Sequence, residues 1–491
     1  MPVTRRTLLL AAGVGVASAA LAGCSTQRPA PQPTSSTPVP PPPPTTTTAP
    51  PPPDWNALRG KVSGGLVLPG DPDYATARHG YNPLFDDRKP AAVARCATQA
   101  DVQACVAVAA ESRLPVAARS GGHSYAGYSS PDDGLVLDLA GMADVQVRQD
   151  GTAVVGAGAR LADVYAALAK AGRCLPAGSC PTVGVAGLTL GGGIGVLARK
   201  FGLTCDRLTS AAVVTADGTA RTASADSEPE LFWALRGGGG GNLGVVTSFT
   251  FATEPAPELA VFSLKFPAGA AADVLGGWQG WIANAPDELW ANCVVHAGGS
   301  PQVSGCFVGG SAGLNPLLDR LVAATTQPTN RFVRDQAYLD AMRFFAGDAN
   351  APRESFVASA RILGAPLSDP AAAVASLSGL SGVDLLFDGL GGAVARTPAD
   401  ATAFPHRSAL ASVQIYANAA GGAQRATQEV DQVRAALGNL LGPSSYVNYI
   451  DPTLPDWATA YYGGNLARLR AAAHKYDPNG VFAFAQGLTK A

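Results

Sequence analysis

Two glycine-rich stretches dominate this sequence: residues 119–130 read RSGGHSYAGYSS, and residues 177–187 read AGSCPTVGVAG. Each stretch holds one reactive side chain, His123 in the first and Cys180 in the second. Glycines lack β-carbons, so their backbone N–H groups can approach an anionic or flat ligand closely. Both stretches therefore predict loops that contact a cofactor.

Two further glycine runs lie downstream, GGGIGVLARKFGLTCDRL at 191–208 and ELFWALRGGGGGNLGVVT at 230–247. With the first two stretches they make four motifs in a fixed order, a combination that is improbable by chance. Together they resemble the berberine bridge enzyme-like family of FAD-linked oxidases, and the resemblance runs from about Tyr74 to the C-terminus.

The resemblance implies an α+β fold of the vanillyl-alcohol oxidase type. A PCMH-type FAD-binding domain of two α+β subdomains is expected at 75–256, and a substrate domain, an antiparallel sheet covered by helices, at 257–440. Residues 441–491 resemble the family's closing segment, which returns to the FAD-binding domain. In the family a histidine and a cysteine at these places both bond to the isoalloxazine ring, which implies FAD doubly linked to His123 and Cys180.

The first two loops also provide polar contacts for the cofactor. Gly121, Gly122 and Ser124 would offer donors to the pyrophosphate, and Arg119 would add positive charge. A neutral imidazole is nucleophilic near neutral pH, which suits His123 to a covalent bond. The predicted cofactor-binding residues are His123, Cys180, Arg119, Ser120, Gly121, Gly122, Ser124, Gly187, Gly191, Gly192, Gly195, Val246 and Asn448.

Two alternatives concern these loops. A disulfide with Cys174 would occupy the Cys180 thiol and deny the flavin its second bond. The five glycines at 237–241 fit a loop on the other side of the cofactor, although a flexible linker has the same composition.

A flavin that oxidises an alcohol needs a base to take the hydroxyl proton. In YVNYID at 446–451, Tyr446 and Asn448 match the family's Y-x-N motif, whose tyrosine is assigned as base. Alternation predicts a strand with both residues on one face. A free tyrosine has a pKa of about 10, so this role requires nearby positive charge or hydrogen-bond donors.

Further catalytic positions follow from the neighbouring sequence and the resemblance. Gln414 and Tyr416 of SVQIYA are predicted to share one face of a strand. Neither is acidic, so Tyr446 or another group must take the proton. Val183 lies three residues after Cys180, where in the family valine accompanies oxidases and leucine accompanies dehydrogenases.

These residues predict an FAD-dependent enzyme that oxidises a CH–OH group of a sugar, polyol or secondary-metabolite alcohol by hydride transfer. O2 would reoxidise the flavin and give H2O2. One alternative is a dehydrogenase that uses a quinone or a protein as electron acceptor. Another is a lipoprotein that binds a ligand on an inactive flavin fold.

Two other motifs point to different enzyme classes. VVGAGARL at 154–161 resembles a dinucleotide fingerprint, but Leu161 stands where the third glycine is required. GGSAG at 309–313 satisfies the nucleophile-elbow pattern and leaves a Ser311 hydrolase, with Asp451 and His474, as a weaker alternative. A hydrolase at Ser311 would not explain the glycine-rich loops.

The N-terminus predicts an exported, lipid-anchored protein. Twin arginines at positions 5 and 6 precede an apolar run that is too short for a comfortable membrane span, and LAGC at 21–24 resembles a lipoprotein-processing site. Residues 1–23 would be the signal, leaving Cys24 as the lipidated N-terminus outside the cytoplasm. Residues 24–54, which are rich in proline and threonine, would form a tether.

Charge and cysteine content limit the remaining possibilities. The net charge of −2 gives no support for nucleic-acid binding. The sequence has no CxxC or HExxH spacing, so no metal site is predicted. Cys293 and Cys306 flank HAGGSPQVSG between two apolar runs, and a hairpin there would make them the best candidates for a disulfide.

Overall fold

Short apolar and alternating segments of the sequence form most of the strands in the computed structural model, which describes residues 50–347 and 352–489. The strands are, in chain order, β1 (Leu66–Val67), β2 (Ala92–Arg95), β3 (Val116–Arg119), β4 (Leu135–Asp138), β5 (Val145–Val147), β6 (Thr152–Gly156), β7 (Arg173–Cys174), β8 (Leu208–Val214), β9 (Ala220–Ser224), β10 (Val245–Ala252), β11 (Glu254–Pro255), β12 (Leu259–Lys265), β13 (Leu289–His296), β14 (Gln302–Val308), β15 (Asn330–Gln336), β16 (Phe356–Leu363), β17 (Val383–Gly389) and β18 (Ala411–Asn418).

Helices lie between and over these strands. They are α1 (Trp55–Arg59), α2 (Tyr74–Ala77), α3 (Gln99–Ser112), α4 (Leu161–Lys170), α5 (Val185–Leu190), α6 (Ala198–Phe201), α7 (Pro229–Ala234), α8 (Ala271–Ala283), α9 (Ser311–Ala324), α10 (Tyr338–Ala346), α11 (Pro370–Ala375), α12 (Ala393–Arg396), α13 (Ala423–Leu441), α14 (Trp457–Tyr462) and α15 (Leu466–Tyr476). Short 3-10 turns occur at Pro83–Phe85, Thr204–Arg207, Val447–Tyr449 and Gly463–Asn465.

The strands before residue 256 form two sheets and a short ribbon. The first sheet has the order β1-β2-β4-β3 and the second β5-β6-β10-β8-β9, while β7 pairs with β11. Pairing is parallel between β4 and its neighbours β2 and β3, and antiparallel throughout the second sheet. The α+β class predicted from the sequence is confirmed.

Local sequence signals account for several of these elements. Thr98 accepts a hydrogen bond from the Asp101 amide at 3.2 Å, and Asp101 accepts one from the Thr98 amide at 3.1 Å. This capping box starts α3 as predicted. The predicted turn at Asp217 and Gly218 joins β8 to β9, and Gly218 has a φ of +72° there. SEPE at 227–230 matches a capping box with an early proline. Pro229 does begin α7, but Glu228 rather than Ser227 is its N-cap, and no side chain caps the helix.

Seven antiparallel strands form the third sheet, in the order β15-β12-β14-β13-β17-β18-β16. Alternate side chains give this sheet one apolar and one polar face. Leu385, Phe387 and Val413 of the apolar face pack in one core with Trp278 of α8 and Val430 of α13. The opposite face carries polar side chains and is described with the site below.

The C-terminal residues pack against the first two sheets. Val447, Tyr462 and Leu488 share a core with Val155 of β6 and Phe249 of β10. From Pro50 onward the described residues belong to one compact unit. The domain limits at 256 and 440 therefore stay predictions, although the change from the second to the third sheet falls between β10 and β12.

The structure corrects the predicted strand at YVNYID. Val447–Tyr449 is a 3-10 turn, closed by a 3.0 Å hydrogen bond from the Tyr449 amide to the Tyr446 carbonyl oxygen. Neighbouring contacts hold this turn, since the Ser445 amide donates to the Ala460 carbonyl at 2.9 Å. In addition, the Ser445 carbonyl accepts from His406 Nε2 at 2.8 Å. Tertiary contacts thus override the alternating pattern.

The predicted disulfide between Cys293 and Cys306 is wrong. The hairpin exists, since β13 and β14 pair directly, but Cys293 lies opposite Val303 and Cys306 lies opposite Trp290. Cys306 is three residues beyond Val303, the partner of Cys293, and an odd offset along a strand places the two thiols on opposite faces of the sheet. Both are buried as free thiols, and so is Cys174, which forms no bridge with Cys180.

The Ser311 hydrolase is not assembled either. Ser311 is the first residue of α9, so the helix begins at the serine itself. Its hydroxyl donates to Asp335 at 2.8 Å. Asp451, the expected acid, instead forms a buried ion pair with Arg434 at 2.8 Å. Each of these two residues therefore has a different partner from the one that a triad requires.

The predicted signal at 1–23 and most of the tether at 24–54 lie outside the described residues. Within the described part of the chain, no helix has the length and apolar character needed to cross a bilayer.

Candidate active site

A cavity lies between residues of the first two sheets, the glycine loops and the C-terminal segment. The predicted residues Ser120, Gly121, Gly122, His123, Ser124, Val183, Gly187, Val246 and Asn448 line it. The structure therefore brings together residues that lie more than three hundred positions apart in the sequence.

The two glycine loops touch through their backbones. A Cβ on Gly121 would lie 2.3 Å from the Gly184 nitrogen, and one on Gly184 would lie 2.1 Å from Ser120 Oγ. Both distances are well inside van der Waals contact, so only glycine allows this approach. As a result, the loop that follows β3 and the loop that precedes α5 meet at the cavity wall.

This contact brings His123 and Cys180 to the same hydroxyl group. His123 Nε2 lies 2.9 Å from Thr182 Oγ1, and Cys180 Sγ lies 3.6 Å from the same oxygen. The Tyr81 ring stacks on the imidazole with centroids 3.7 Å apart. Burial, with the positive charge of Arg160, lowers the pKa of His123 to about 4 despite a backbone hydrogen bond at Thr182. His123 is therefore neutral near pH 7, as a nucleophile must be.

Other predicted residues do not line the cavity. The Arg119 guanidinium forms a buried ion pair with Asp138 at 2.7 Å, so its charge is directed into the protein rather than at a pyrophosphate. The run at 191–195 also contacts protein. A Cβ on Gly191 would lie 1.9 Å from Asn448 Oδ1, one on Gly192 3.0 Å from the Phe404 ring, and one on Gly195 1.7 Å from the Ala177 carbonyl. These glycines make room for neighbouring residues, including the predicted cofactor residue Asn448.

The cofactor-binding residues predicted by name include none of the glycines at 237–241. The structure shows that Gly239, Gly240, Gly241, Asn242 and Gly244 line the cavity. The composition of the run had suggested this position, but no side chain in it marked a particular residue. Asn242 is held by its own contacts, since its Oδ1 accepts from the Leu488 amide at 3.1 Å.

Tyr446 is buried beside the cavity, and its hydroxyl oxygen collects hydrogen-bond donors. The amides of Gly193 and Ile194 donate to it at 3.0 and 3.4 Å, and Asn448 Nδ2 donates at 2.8 Å. Burial raises the pKa of Tyr446, whereas the three donors act in the opposite direction. Three N–H groups aimed at one phenolic oxygen form a site that stabilises a phenolate.

The polar face of the third sheet supplies the other predicted side chains. Gln414 donates to the Tyr125 hydroxyl at 2.7 Å, and Tyr125 lines the cavity. Tyr416 stacks on Phe356 with centroids 5.1 Å apart, and Phe356 meets the edge of Tyr125 at 4.9 Å. Gln414 and Tyr416 thus share one face of β18, as alternation predicts, and both connect to the cavity through Tyr125.

Asp388 is the acidic group that the sequence did not reveal. It lies on β17 opposite Asn292 of β13 and Ser412 of β18. Its carboxylate is 3.4 Å from the hydroxyl of Tyr449, which lines the cavity. Burial raises the pKa of Asp388 to about 7, against the hydrogen bond from Tyr449. Only strand pairing brings this carboxyl beside β18, so no local pattern could have found it.

Comparisons with known proteins agree with this geometry. The family model of an FAD binding domain matches residues 90–224, and the model described as berberine and berberine like matches residues 445–489. An uncharacterised FAD-linked oxidoreductase of Bacillus subtilis is 34% identical over 87% of this chain and 97% of its own length. A chitooligosaccharide oxidase of Gibberella zeae is 33% identical over 82% of this chain and 87% of its own length.

Solved structures give the same result. The berberine bridge enzyme-like protein 1 of Physcomitrella patens superposes with a TM-score of 0.84 at 31% identity, covering 88% of this chain and 98% of that protein. A glucooligosaccharide oxidase of Acremonium strictum with 6-S-cysteinyl, 8α-N1-histidyl FAD superposes with a TM-score of 0.77 at 28% identity. The match covers 83% of this chain and 93% of that protein.

The chain belongs to the berberine bridge enzyme-like family of FAD-linked oxidoreductases. Membership confirms FAD as the cofactor and oxidation of a CH–OH group as the reaction. The residues present fit the group: glycine backbones form much of the cavity wall, His123 is neutral, and Cys180 is a free thiol. His123 and Cys180 would hold the flavin ring covalently.

We expect either bond alone to retain the cofactor. His123→Ala and Cys180→Ala should each keep yellow flavin after denaturation, whereas the double variant should lose it on acid precipitation. Tryptic mass spectrometry of the native protein should find both peptides joined through one FAD. Recovery of unmodified peptides containing His123 and Cys180 from the yellow protein would contradict the assignment.

Proposed function

We propose that this enzyme oxidises a hydroxyl group of a carbohydrate, with O2 as electron acceptor. Bound FAD supplies the hydride acceptor. The observation that carries the proposal is the polar face of the third sheet, where Asp388 contacts the cavity-lining Tyr449 and Gln414 contacts the cavity-lining Tyr125. The chitooligosaccharide and glucooligosaccharide oxidases are relatives whose names state the same class of substrate.

Polar side chains continue along this face beyond Asp388. Asn292 of β13 lies opposite Ser304 of β14, which lies opposite Ser263 of β12. Ser304 donates to Ser263 at 3.2 Å, and among the described residues the buried Oδ1 of Asn292 has no hydrogen-bond partner. Such a row offers donors and acceptors to several hydroxyl groups, which a sugar carries and a simple alcohol lacks.

Aromatic rings complete the surface that a sugar would contact. Tyr125 stacks on Tyr449 with centroids 5.4 Å apart, and Phe356 links Tyr125 to Tyr416. The C–H groups of a pyranose pack against aromatic faces, while its hydroxyl groups bond to the polar row. The combination favours sugars over alcohols that are apolar or acyclic.

Anaerobic mixing tests the substrate class. Oligosaccharides of glucose, xylose or N-acetylglucosamine should bleach the flavin absorbance, because hydride transfer reduces the ring without reoxidation by O2. Simple alcohols of similar concentration serve as the control. Bleaching by simple or aromatic alcohols, with none by any sugar, would show that the proposed substrate is wrong.

Tyr446 is the proposed base. Its three donors stabilise negative charge on the phenolic oxygen and so favour transfer of a proton from a substrate hydroxyl, against the burial that raises the pKa of Tyr446. Asn448 has a positioning role, since its amide donates both to Tyr446 at 2.8 Å and to the Leu188 carbonyl at 2.9 Å.

Replacing Tyr446 by phenylalanine removes the proton acceptor but keeps the ring. We expect Tyr446→Phe to slow flavin reduction by about 10²-fold or more, with the flavin content unchanged. Stopped-flow absorbance measures the rate. Tyr338→Phe is a matched control, because Tyr338 is also buried but bonds to Leu175. Wild-type kinetics in the Tyr446 variant would transfer the role to another group.

Asp388 gives the reaction a dependence on pH. A carboxyl whose pKa is raised to about 7 is neutral below that pH and charged above it. Its carboxylate can accept a proton or hold the Tyr449 hydroxyl, whereas its neutral form cannot accept one. The rate of flavin reduction should therefore rise as the pH increases through about 7.

The matching variant is Asp388→Asn, which should lack this midpoint and be slower at high pH. Asp384→Asn is the control, because Asp384 lies on the same strand but pairs with His296 at 2.8 Å. It should keep the midpoint, which would exclude His296 as the titrating group. Loss of the midpoint in the Asp384 variant, with retention in the Asp388 variant, would contradict the assignment.

Val183 supports O2 as the acceptor, because valine accompanies oxidases at this position in the family that the sequence resembles. The residue lines the cavity beside Gly184. We expect one H2O2 per substrate oxidised. Val183→Leu adds bulk to the cavity wall and should slow reoxidation of the flavin by about tenfold or more, with little change in its reduction. A wild-type enzyme whose reduced flavin survives in air for minutes would instead be a dehydrogenase.

We further propose that the enzyme acts outside the cytoplasm, anchored to the membrane through a lipid on Cys24. The support is the sequence alone: twin arginines, a short apolar run and LAGC. Export after folding suits a protein whose cofactor is attached before secretion.

A further inference from the structure

Thr182 lies between the two side chains that attach FAD. Its Oγ1 is 2.9 Å from His123 Nε2 and 3.6 Å from Cys180 Sγ. The first distance is that of a normal hydrogen bond between nitrogen and oxygen. The second is longer because sulfur is the larger atom, and either atom of that pair can be the donor. One hydroxyl group therefore reaches both attachment residues.

Backbone contacts fix this hydroxyl in place. The Leu161 amide donates to the Val183 carbonyl at 3.0 Å, and the Ala162 amide donates to the Pro181 carbonyl at 3.1 Å. The turn that carries Thr182 is thereby held to the start of α4. On its other side, Gly184 packs against Gly121, which allows no β-carbon.

The imidazole of His123 has little freedom to turn away. Tyr81 stacks on it with an interplanar angle of 17°, and Thr182 holds Nε2. A neutral imidazole has a proton on one nitrogen and a lone pair on the other. If Nε2–H donates to Thr182, the lone pair is on Nδ1, the nitrogen that conventional flavin nomenclature calls N1.

We propose that Thr182 is a positioning residue for both covalent bonds to FAD. Its hydroxyl accepts from His123 Nε2–H and donates to the Cys180 sulfur, which leaves Nδ1 free to bond the flavin. The proposal rests on the doubly attached FAD and does not depend on the substrate.

The Thr182 hydroxyl also accepts a hydrogen bond from the Nε2–H group of His123, whose proton must leave during attachment. Attachment of His123 forms a bond between Nδ1 and the 8α carbon, and it breaks one C–H bond of that methyl group and the Nε2–H bond. Two protons and two electrons pass to O2, giving H2O2. Attachment of Cys180 forms an S–C6 bond, breaks S–H and C6–H, and consumes a second O2 in the same way. Positive charge grows on the ring as Nδ1 reacts, so an acceptor at Nε2 accelerates the first bond.

The test follows bond formation rather than substrate turnover. A riboflavin-auxotrophic host expresses the protein, and samples are taken at intervals after riboflavin is supplied. Mass spectrometry of tryptic peptides then measures the fraction of His123 and of Cys180 that carries flavin. Thr182→Val keeps the shape and removes the hydroxyl, and we expect the histidyl bond to form about tenfold more slowly or worse. The cysteinyl bond should be slowed less, because its contact with the hydroxyl is longer.

Thr182→Ser restores the hydroxyl and should restore the rate, which a loss of packing alone would not predict. Thr209→Val is the control, because Thr209 lies exposed on β8 and its hydroxyl bonds to Thr250. If the valine variant does not accumulate as folded protein, Thr182→Ala is measured in its place. A histidyl bond that forms less than about tenfold more slowly without the hydroxyl would overturn the proposal. Failure of sugars to reduce the flavin would overturn only the proposed function, since the peptides report attachment.

Discussion

A backbone contact that only glycine permits holds the flavin site together. Gly121 and Gly184 approach so closely that a β-carbon on either residue would overlap the other loop. One loop follows β3 of the first sheet and the other precedes the short helix α5. These elements are far apart in the sequence, so the glycine contact is what holds the two loops together. The contact brings His123 within hydrogen-bond distance of Thr182, and Thr182 within reach of Cys180. Both covalent attachments therefore depend on two missing side chains.

The catalytic side of the cavity is built from parts of the chain that are far apart. Tyr446 comes from the C-terminal segment, while two of its donors are amides of the glycine run at 191–195. Gly191 admits Asn448, which supplies the third donor. Gly191, Gly192 and Gly195, which the sequence analysis assigns to the cofactor, thus make room for other protein segments, because a residue without a side chain allows any two segments to approach closely.

Burial has opposite consequences for the reactive groups. It keeps His123 neutral and nucleophilic, and it brings the pKa of Asp388 to about 7, where small changes of pH alter its charge. It also raises the pKa of Tyr446, an effect that the three donors oppose without reversing it. A site that excludes water therefore needs fixed donors beside any group that must carry charge. The backbone amides provide them without the entropy cost of long side chains.

The sequence by itself indicated the cofactor, the two proposed attachment residues and the α+β class, because four ordered local motifs resemble those of a known family. It also determined that Gln414 and Tyr416 share a face, since alternation along a strand is a local property. Only the tertiary structure decided that Arg119 pairs with Asp138, that YVNYID is a turn, and that Cys293 and Cys306 lie on opposite faces. Each of these depends on strand register or on contacts between distant segments, which residue patterns do not encode. Asp388 belongs to the same group, since no local motif marks it and strand pairing places it near Tyr449. Thr182 lies in one of the marked loops, but only the fold places its hydroxyl beside His123.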